Sequence, residues 1–223
     1  RDFKDPLFPN ELEECLSRIN PNVHSQAIFE AAKKIRDMDL GDMIQKNKRF
    51  TEYIQDGIAD EYFDEKETRH TLIHLIDYAN PDNNLFQAIN QWTVVEKDKR
   101  RPDIVIFVNG LPLVVIELKS PSREDTDVSE AYRQIKNYLQ DIPSLFVYNM
   151  FCVISDFATS KAGTITSEED RFVEWKSIDG AYAHSKHISY NVLFEGMFDK
   201  SRFLDIIKNF IVFSGDSVKI LAA

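Results

Sequence analysis

Three ionisable residues flank a strongly apolar region: Asp103 ahead of the run Ile104–Val108, then Glu117 and Lys119 at the end of the run Leu111–Leu118. Charged groups beside a buried core are costly unless they are paired or bound to a metal. Two carboxylates a few ångströms apart repel, so one is held protonated unless a cation joins them. With Mg²⁺ the logic inverts, and the pair becomes oxygen ligands for a hard cation that keeps several waters. A lysine two residues on neutralises a phosphate oxygen or orients an attacking water. Acid, acid and lysine around Mg²⁺ suit phosphodiester hydrolysis. The same groups also suit a structural ion-pair network, and spacing leaves both readings open. The [DE]-x-Lys spacing recurs at Asp2–Lys4, Asp64–Lys66 and Glu174–Lys176, and Pro-Asp recurs at Pro81-Asp82. Only Pro102-Asp103 with Glu117–Lys119 brackets an apolar hairpin.

That hairpin must position the groups. Asn109-Gly110 between two apolar runs is the strongest short hairpin signal. Both runs are apolar at consecutive positions, as in strands of a central sheet covered on both faces. Side chains alternate along a strand, so Glu117 and Lys119 face the same way. A two-residue turn pairs Val108 with Leu111 and sets Asp103 opposite Ile116, on the wrong face. A three-residue loop, Asn109 to Leu111, pairs Val108 with Pro112 and sets Asp103 opposite Glu117. A one-residue slip flips every side chain, so the choice decides the site. We expect the three-residue loop, with Pro112 at an unpaired or bulged position.

Around the hairpin, residues 10–67 read as mainly helical. Leu12, Cys15, Leu16 and Ile19 form one apolar stripe, and Ile28, Ala31, Ala32 and Ile35 form another. The acidic interval 56–67 reads as a solvated loop or ribbon. Strands are expected at 71–77, 85–95, 146–155, 163–166 and 171–175. Helices are expected at 127–139, where Asp127 and Glu130 resemble a capping box, and at 201–213. The fold class is α/β: a mixed central β-sheet flanked by helices, with an N-terminal helical lead-in.

Composition narrows the function. A hydrophobic content of 43% with 16 Phe predicts a packed core, and 7 Gly with 8 Pro exclude collagen-like and low-complexity chains. Cys15 and Cys152 cannot build a disulfide framework, and without a CxxC the cytoplasm is the expected compartment. No apolar run approaches the roughly 18–20 residues that span a bilayer, so no membrane partner is expected. The net charge of -10 argues against a protein that coats polyanions non-specifically, but not against local DNA binding. One basic cluster, Lys97, Lys99, Arg100 and Arg101, leads directly into Asp103, where a DNA backbone would pass. His70 and His74 share a face without a third ligand, and His184 and His187 read as surface residues. Cys15 reads as core. The chain starts on Arg1 without an initiating Met and ends on the apolar stretch 218–223, so a longer parent protein is expected.

The stretch from Arg101 to Lys119, RPDIVIFVNGLPLVVIELK, followed by Ser120-Pro121, closely resembles the endonuclease motif of type I restriction enzyme R subunits. Asn84-x-Phe86 with Asn90-Gln91 resembles the lead-in of the same family, and Gln134-x-x-x-Tyr138 resembles the QxxxY motif of RecB-like nucleases. The resemblance, closest over about Leu7 to Leu145, implies a single PD-(D/E)xK endonuclease domain across 1–223, with 1–67 as helical lead-in and 68–223 as nuclease core and start of a connection to a motor domain. It implies Mg²⁺, replaceable by Mn²⁺, held by Asp103, Glu117 and the carbonyl of Leu118. Lys119 would orient the attacking water as a cation, and Gln134 and Tyr138 would position Lys119 or a phosphate. Double-stranded DNA and the modification and specificity subunits are the implied partners. ATP would act only through a motor, because this sequence has no GxxxxGK[ST] loop. Such cores also take an acid from an early helix; Glu11, Glu13 and Glu14 are available, with none assigned. Two alternatives remain: a non-catalytic module that docks DNA or a subunit, and a repair or junction-resolving nuclease on the same core.

The charge makes a prediction about the isolated chain. A net -10 opposes approach to DNA beyond a Debye length of roughly 8–10 Å, and the few clustered basic residues neutralise few phosphates. The purified chain should therefore cut plasmid and linear DNA slowly at low salt with Mg²⁺ or Mn²⁺. Rapid multiple-turnover cutting, lost in Asp103→Ala, would contradict this.

Overall fold

The computed structural model describes residues 3–38, 40–64, 67–120, 128–180 and 189–221. Helices α1 (Pro9–Ile19), α2 (Ser25–Arg36) and α3 (Met43–Asp56) open the chain. Their apolar stripes are buried: Leu12, Cys15 and Leu16 on α1, and Ala27, Ile28, Ala31, Ala32 and Ile35 on α2. A capping box between Asp42 and Gln45 starts α3, and Gly57 at φ 90° ends it. The acidic interval then forms an antiparallel ribbon of β1 (Ile58–Asp64) and β2 (Glu67–Ile73).

The remaining elements are β3 (Phe86–Asn90), β4 (Val94–Val95), β5 (Lys99–Arg100), β6 (Ile104–Val108), β7 (Leu111–Leu118), α4 (Val128–Asp141) and α5 (Pro143–Phe146). After them come β8 (Phe151–Ser155), β9 (Ser160–Gly163), β10 (Val173–Glu174), α6 (Ser189–Met197), α7 (Lys200–Asp205), β11 (Ile211–Ser214) and β12 (Ser217–Ile220). Six strands form the central sheet in the order β10-β9-β8-β7-β6-β3, antiparallel except for the parallel pair β7–β8. Helix α4 bridges β7 to β8 and covers the face carrying Glu117, to which its Tyr138 bonds. The opposite face carries Phe151, which packs on Phe198 and Phe203 beside α6 and α7. The fold class expected from the sequence is the one observed.

Several boundaries differ. Residues 143–146 are helical because Pro143 occupies the first turn, so β8 starts at Phe151 rather than Phe146. The strand expected at 85–95 breaks at Gln91, whose φ is 52°. The strand expected at 163–166 ends at Gly163, and Thr164 and Thr166 instead donate their hydroxyls to the Val218 carbonyl at 2.6 and 2.9 Å. The helix expected over 201–213 stops short: a wide turn over 206–210 gives way to the β11–β12 hairpin. Its β-branched run and the Gly215 turn at φ 63° explain that end. Helix α6 was missed. Asp127, His184 and His187 lie outside the described residues.

The loop of the central hairpin also differs. Val108 pairs with Leu111, so the turn has two residues, with Asn109 at φ 52° and Gly110 at φ 79°. Two positive φ values match the twist of flanking strands, which favours the shorter turn. The register then shifts between the Phe107–Pro112 and Ile106–Val114 pairs, leaving Leu113 as an extra residue. Pro112 has no N–H to give the ladder, so an interruption beside it costs little. The Leu113 carbonyl accepts the Met150 amide at 2.7 Å. Beyond the bulge, Ile104 faces Ile116, and one further step sets Asp103 opposite Glu117. The bulge in β7 does what the longer loop was expected to do.

Asn109 is fully buried, and its side chain is satisfied. Its Nδ2 donates to the Leu75 carbonyl and Asn84 Oδ1, each at 2.9 Å, and its Oδ1 accepts the Leu85 amide at 2.8 Å. Phe8 donates its amide to the Gly110 carbonyl at 3.0 Å, seating α1 on the turn. A Cβ on Gly110 would lie 2.7 Å from the Phe8 carbonyl oxygen. Gly110→Ala combines that clash with a left-handed φ, and should cost about 2–3 kcal/mol. Thermal unfolding should show a midpoint lower by about 5–10 °C. An unchanged midpoint would mean that the turn does not clamp α1.

Candidate active site

The end of β7 is where the sheet surfaces: Leu113 through Glu117 are buried, whereas Leu118 and Lys119 are partly exposed. Glu117 is only 4% exposed. Its Oε1 lies 3.1 Å from Lys119 Nζ, and its Oε2 accepts the Tyr138 hydroxyl at 3.0 Å. Asp103 joins them from β6's start, where its Oδ2 accepts the Leu118 amide at 2.8 Å. Burial pushes the Glu117 carboxyl above its ordinary range, and the Asp103 charge pushes it further. Lys119 and Tyr138 pull it partly back. Burial, then the Glu117 charge, holds the Tyr138 hydroxyl protonated well above its usual range, so Tyr138 stays a donor.

Helix α4 supplies the third side of the site. Gln134 hydrogen-bonds the Tyr138 side chain, so the QxxxY pair is linked to the Glu117 carboxylate. One turn earlier, Glu130 Oε1 stands 3.8 Å from Lys119 Nζ. Glu130, Gln134 and Tyr138 recur every four residues on one helix face. Sequence reasoning read Glu130 as part of a cap and missed its approach to Lys119; that four-residue stripe was the available signal.

Other expected residues fall elsewhere. Helix α1 is tied to the hairpin turn through Phe8 and to Asn83 through the Arg18 guanidinium. Gly110 and Glu117 are seven residues apart on one strand, about 23 Å, so Glu11, Glu13 and Glu14 belong to the far end. Arg100 is engaged by Asp141 at 2.7 Å and Asp98 at 3.1 Å, whereas Lys97, Lys99 and Arg101 are exposed. Asn84 is buried in the Asn109 network and is structural. Cys15 and Cys152 are buried free thiols.

The donor set fits a hard cation. The register sets two carboxylates across from each other on paired strands, and each Glu117 oxygen carries one protein donor, leaving lone pairs available. No group of three or more His, Cys, Asp or Glu side chains suited to a metal occurs among the described residues. Such a sparse set suits Mg²⁺, which keeps several waters, better than a caged ion.

Comparison with known proteins decides the family. Residues 1–171 match the family described as "Type I restriction enzyme R protein N terminus". The chain belongs to that family. It is 34% identical over 222 residues, 97% of its length, to the type I restriction enzyme HindI endonuclease subunit of Haemophilus influenzae. It is 28% identical over 241 residues, 99% of its length, to the putative type I restriction enzyme MjaIXP endonuclease subunit of Methanocaldococcus jannaschii. A match of 35% over 154 residues, 68% of the chain, joins it to the SsaAORF53P endonuclease subunit of Staphylococcus saprophyticus. The chain spans 21%, 23% and 13% of these relatives. Among the described residues, no helix is long and apolar enough to cross a membrane.

The shifted Glu117 carboxyl sets an expectation for this R-protein domain. A carboxyl raised in the folded state holds its proton more tightly there than in the unfolded chain. Its contribution to stability therefore falls as pH rises from the ordinary carboxylate range through the folded value. Asp103→Asn removes the like charge while keeping an acceptor for the Leu118 amide. In metal-free buffer at pH 7 it should raise the unfolding midpoint by about 2–4 °C. The gain should vanish below about pH 4, where carboxyls are protonated in both states. A lower midpoint at pH 7 would show that the two carboxylates do not oppose one another.

Proposed function

We propose that this chain is the single endonuclease domain of a type I restriction R subunit and hydrolyses DNA phosphodiester bonds with Mg²⁺. The observation that carries the reading is the bulged register that gathers Asp103, Glu117 and Lys119 at one exposed sheet end. Asp103 and Glu117 would hold the cation, with the Leu118 carbonyl as a third oxygen, and Mn²⁺ could replace it. When bound, Mg²⁺ would acidify a water and polarise the scissile phosphate.

The protein's own groups do the rest. Tyr138, backed by Gln134, fixes the Glu117 carboxylate and shields it from bulk water. Lys119 acts as a cation between Glu117 and Glu130, able to orient the attacking water and offset charge on the pentacovalent transition state. Lys97, Lys99 and Arg101 would guide the DNA backbone toward Asp103. Translocation driven by ATP would belong to the remaining four-fifths of such a subunit, with modification and specificity subunits as partners in the bacterial or archaeal cytoplasm. A docking-only module would not need a buried carboxylate held beside a second, half-buried one, which favours catalysis.

Lys119→Ala in the full-length subunit should lower DNA cleavage by about 10²-fold or more while ATP-driven translocation continues. Cleavage and triplex-displacement assays run side by side test this. Retained cutting would remove Lys119 from the chemistry.

A further inference from the structure

The β8–β9 loop presents an aromatic ring at the same sheet edge as the candidate site. Phe157 is 49% exposed, although the strand it follows, β8, is buried along its whole length. Its φ is 76°, a left-handed conformation that bulky residues rarely adopt and that glycine or asparagine would take with little strain. Strained backbone under an exposed ring points to a use for the ring. The position is well defined: the Phe157 amide donates to Ser155 Oγ at 3.1 Å, and Asp156 closes the loop through its Oδ1 to the Thr159 amide at 2.7 Å. Behind Phe157 a ladder of rings runs along α6. Phe157 to Tyr190 is 5.7 Å, Tyr190 to Phe194 is 4.4 Å, and Phe194 to Phe198 is 5.4 Å between centroids.

The location ties this ring to the proposed site. Strands β7 and β8 are parallel, so both end at one edge, and the Lys119 amide donates to the Ser155 carbonyl at 2.8 Å. Phe157 follows two residues later. Strand alternation puts Glu117 and Lys119 on the α4 side, and Phe151, Val153 and Ser155 on the α6 side. A nucleotide crossing this edge would meet charged groups on one side and an aromatic ladder on the other. Stacking on a ring accepts any base, because every base has a π-face.

We propose that Phe157 forms a nucleobase subsite, stacking a base unstacked from the DNA beside the scissile phosphate. The Lys119 ammonium meets the backbone while the ring holds the base, so a flexible strand is fixed at two points. This rests on the nuclease reading above. The partner is an unpaired base, so single-stranded or frayed DNA should bind better than intact duplex.

The test uses the chain with single-stranded oligonucleotides carrying 5-iodouracil, and the full-length subunit for cleavage. Wild type and Phe157→Trp should photo-cross-link at position 157. Phe157→Leu, which keeps the apolar bulk and removes the π-face, should lose that cross-link and about tenfold in affinity. Its melting midpoint should stay within about 2 °C of wild type, which separates a ligand contact from a folding defect. Failure of the wild type to cross-link at Phe157, or wild-type affinity in Phe157→Leu, overturns the proposal. Cleavage by Asp103→Asn and Lys119→Ala is measured alongside. If those variants cut normally, the nuclease reading fails; if they are inactive while Phe157→Leu matches wild type, stacking alone fails.

Discussion

Asp103 and Glu117 meet because the ladder between β6 and β7 changes register by one residue at Leu113. A ladder continued at the turn's own register would set Asp103 opposite Ile116 and turn its carboxylate away from Glu117. The site thus depends on a backbone irregularity in the buried part of a central strand. Several features hold that irregularity in place. The Asn109-Gly110 turn is locked by buried side-chain hydrogen bonds, Pro112 withholds an N–H, and the Met150 amide claims the bulged carbonyl.

Crowding two acids costs stability, and the surroundings offset part of that cost. Tyr138 and Lys119 each engage one Glu117 oxygen, and the Leu118 amide engages Asp103. Burial and mutual repulsion still raise the Glu117 carboxyl. A pair held together against its own electrostatics is the arrangement expected of a site completed by a cation.

Much of this was legible in the sequence, for identifiable reasons. Consecutive apolar residues around Asn109-Gly110 announced a two-sided buried hairpin, and alternation put Glu117 and Lys119 on one face. The need to gather both acids pointed to the right register but to the wrong device, since a bulge within a strand leaves no turn residue to mark it. Gln134 and Tyr138 stood out through their resemblance to a family motif, yet the contact of Tyr138 with Glu117 depends on how α4 packs. Glu130 was hidden by its resemblance to a cap, and Arg100 by its place in a basic run, though Asp141 engages it. The C-terminal third was read least well. There β-branched residues follow helical ones without a break, and Thr164 and Thr166 bond to a hairpin more than fifty residues away.

The central claim is that the bulged register creates a cation site from two facing strands. Diffraction from crystals of this chain grown or soaked with Mn²⁺, recorded near the manganese absorption edge, tests it most directly. The account predicts one strong anomalous peak within about 2.0–2.3 Å of both the Asp103 and Glu117 carboxylates. In crystals of the Asp103→Asn variant that peak should be lost. Manganese bound elsewhere, or a bare Asp103–Glu117 pair at saturating Mn²⁺, would contradict the account.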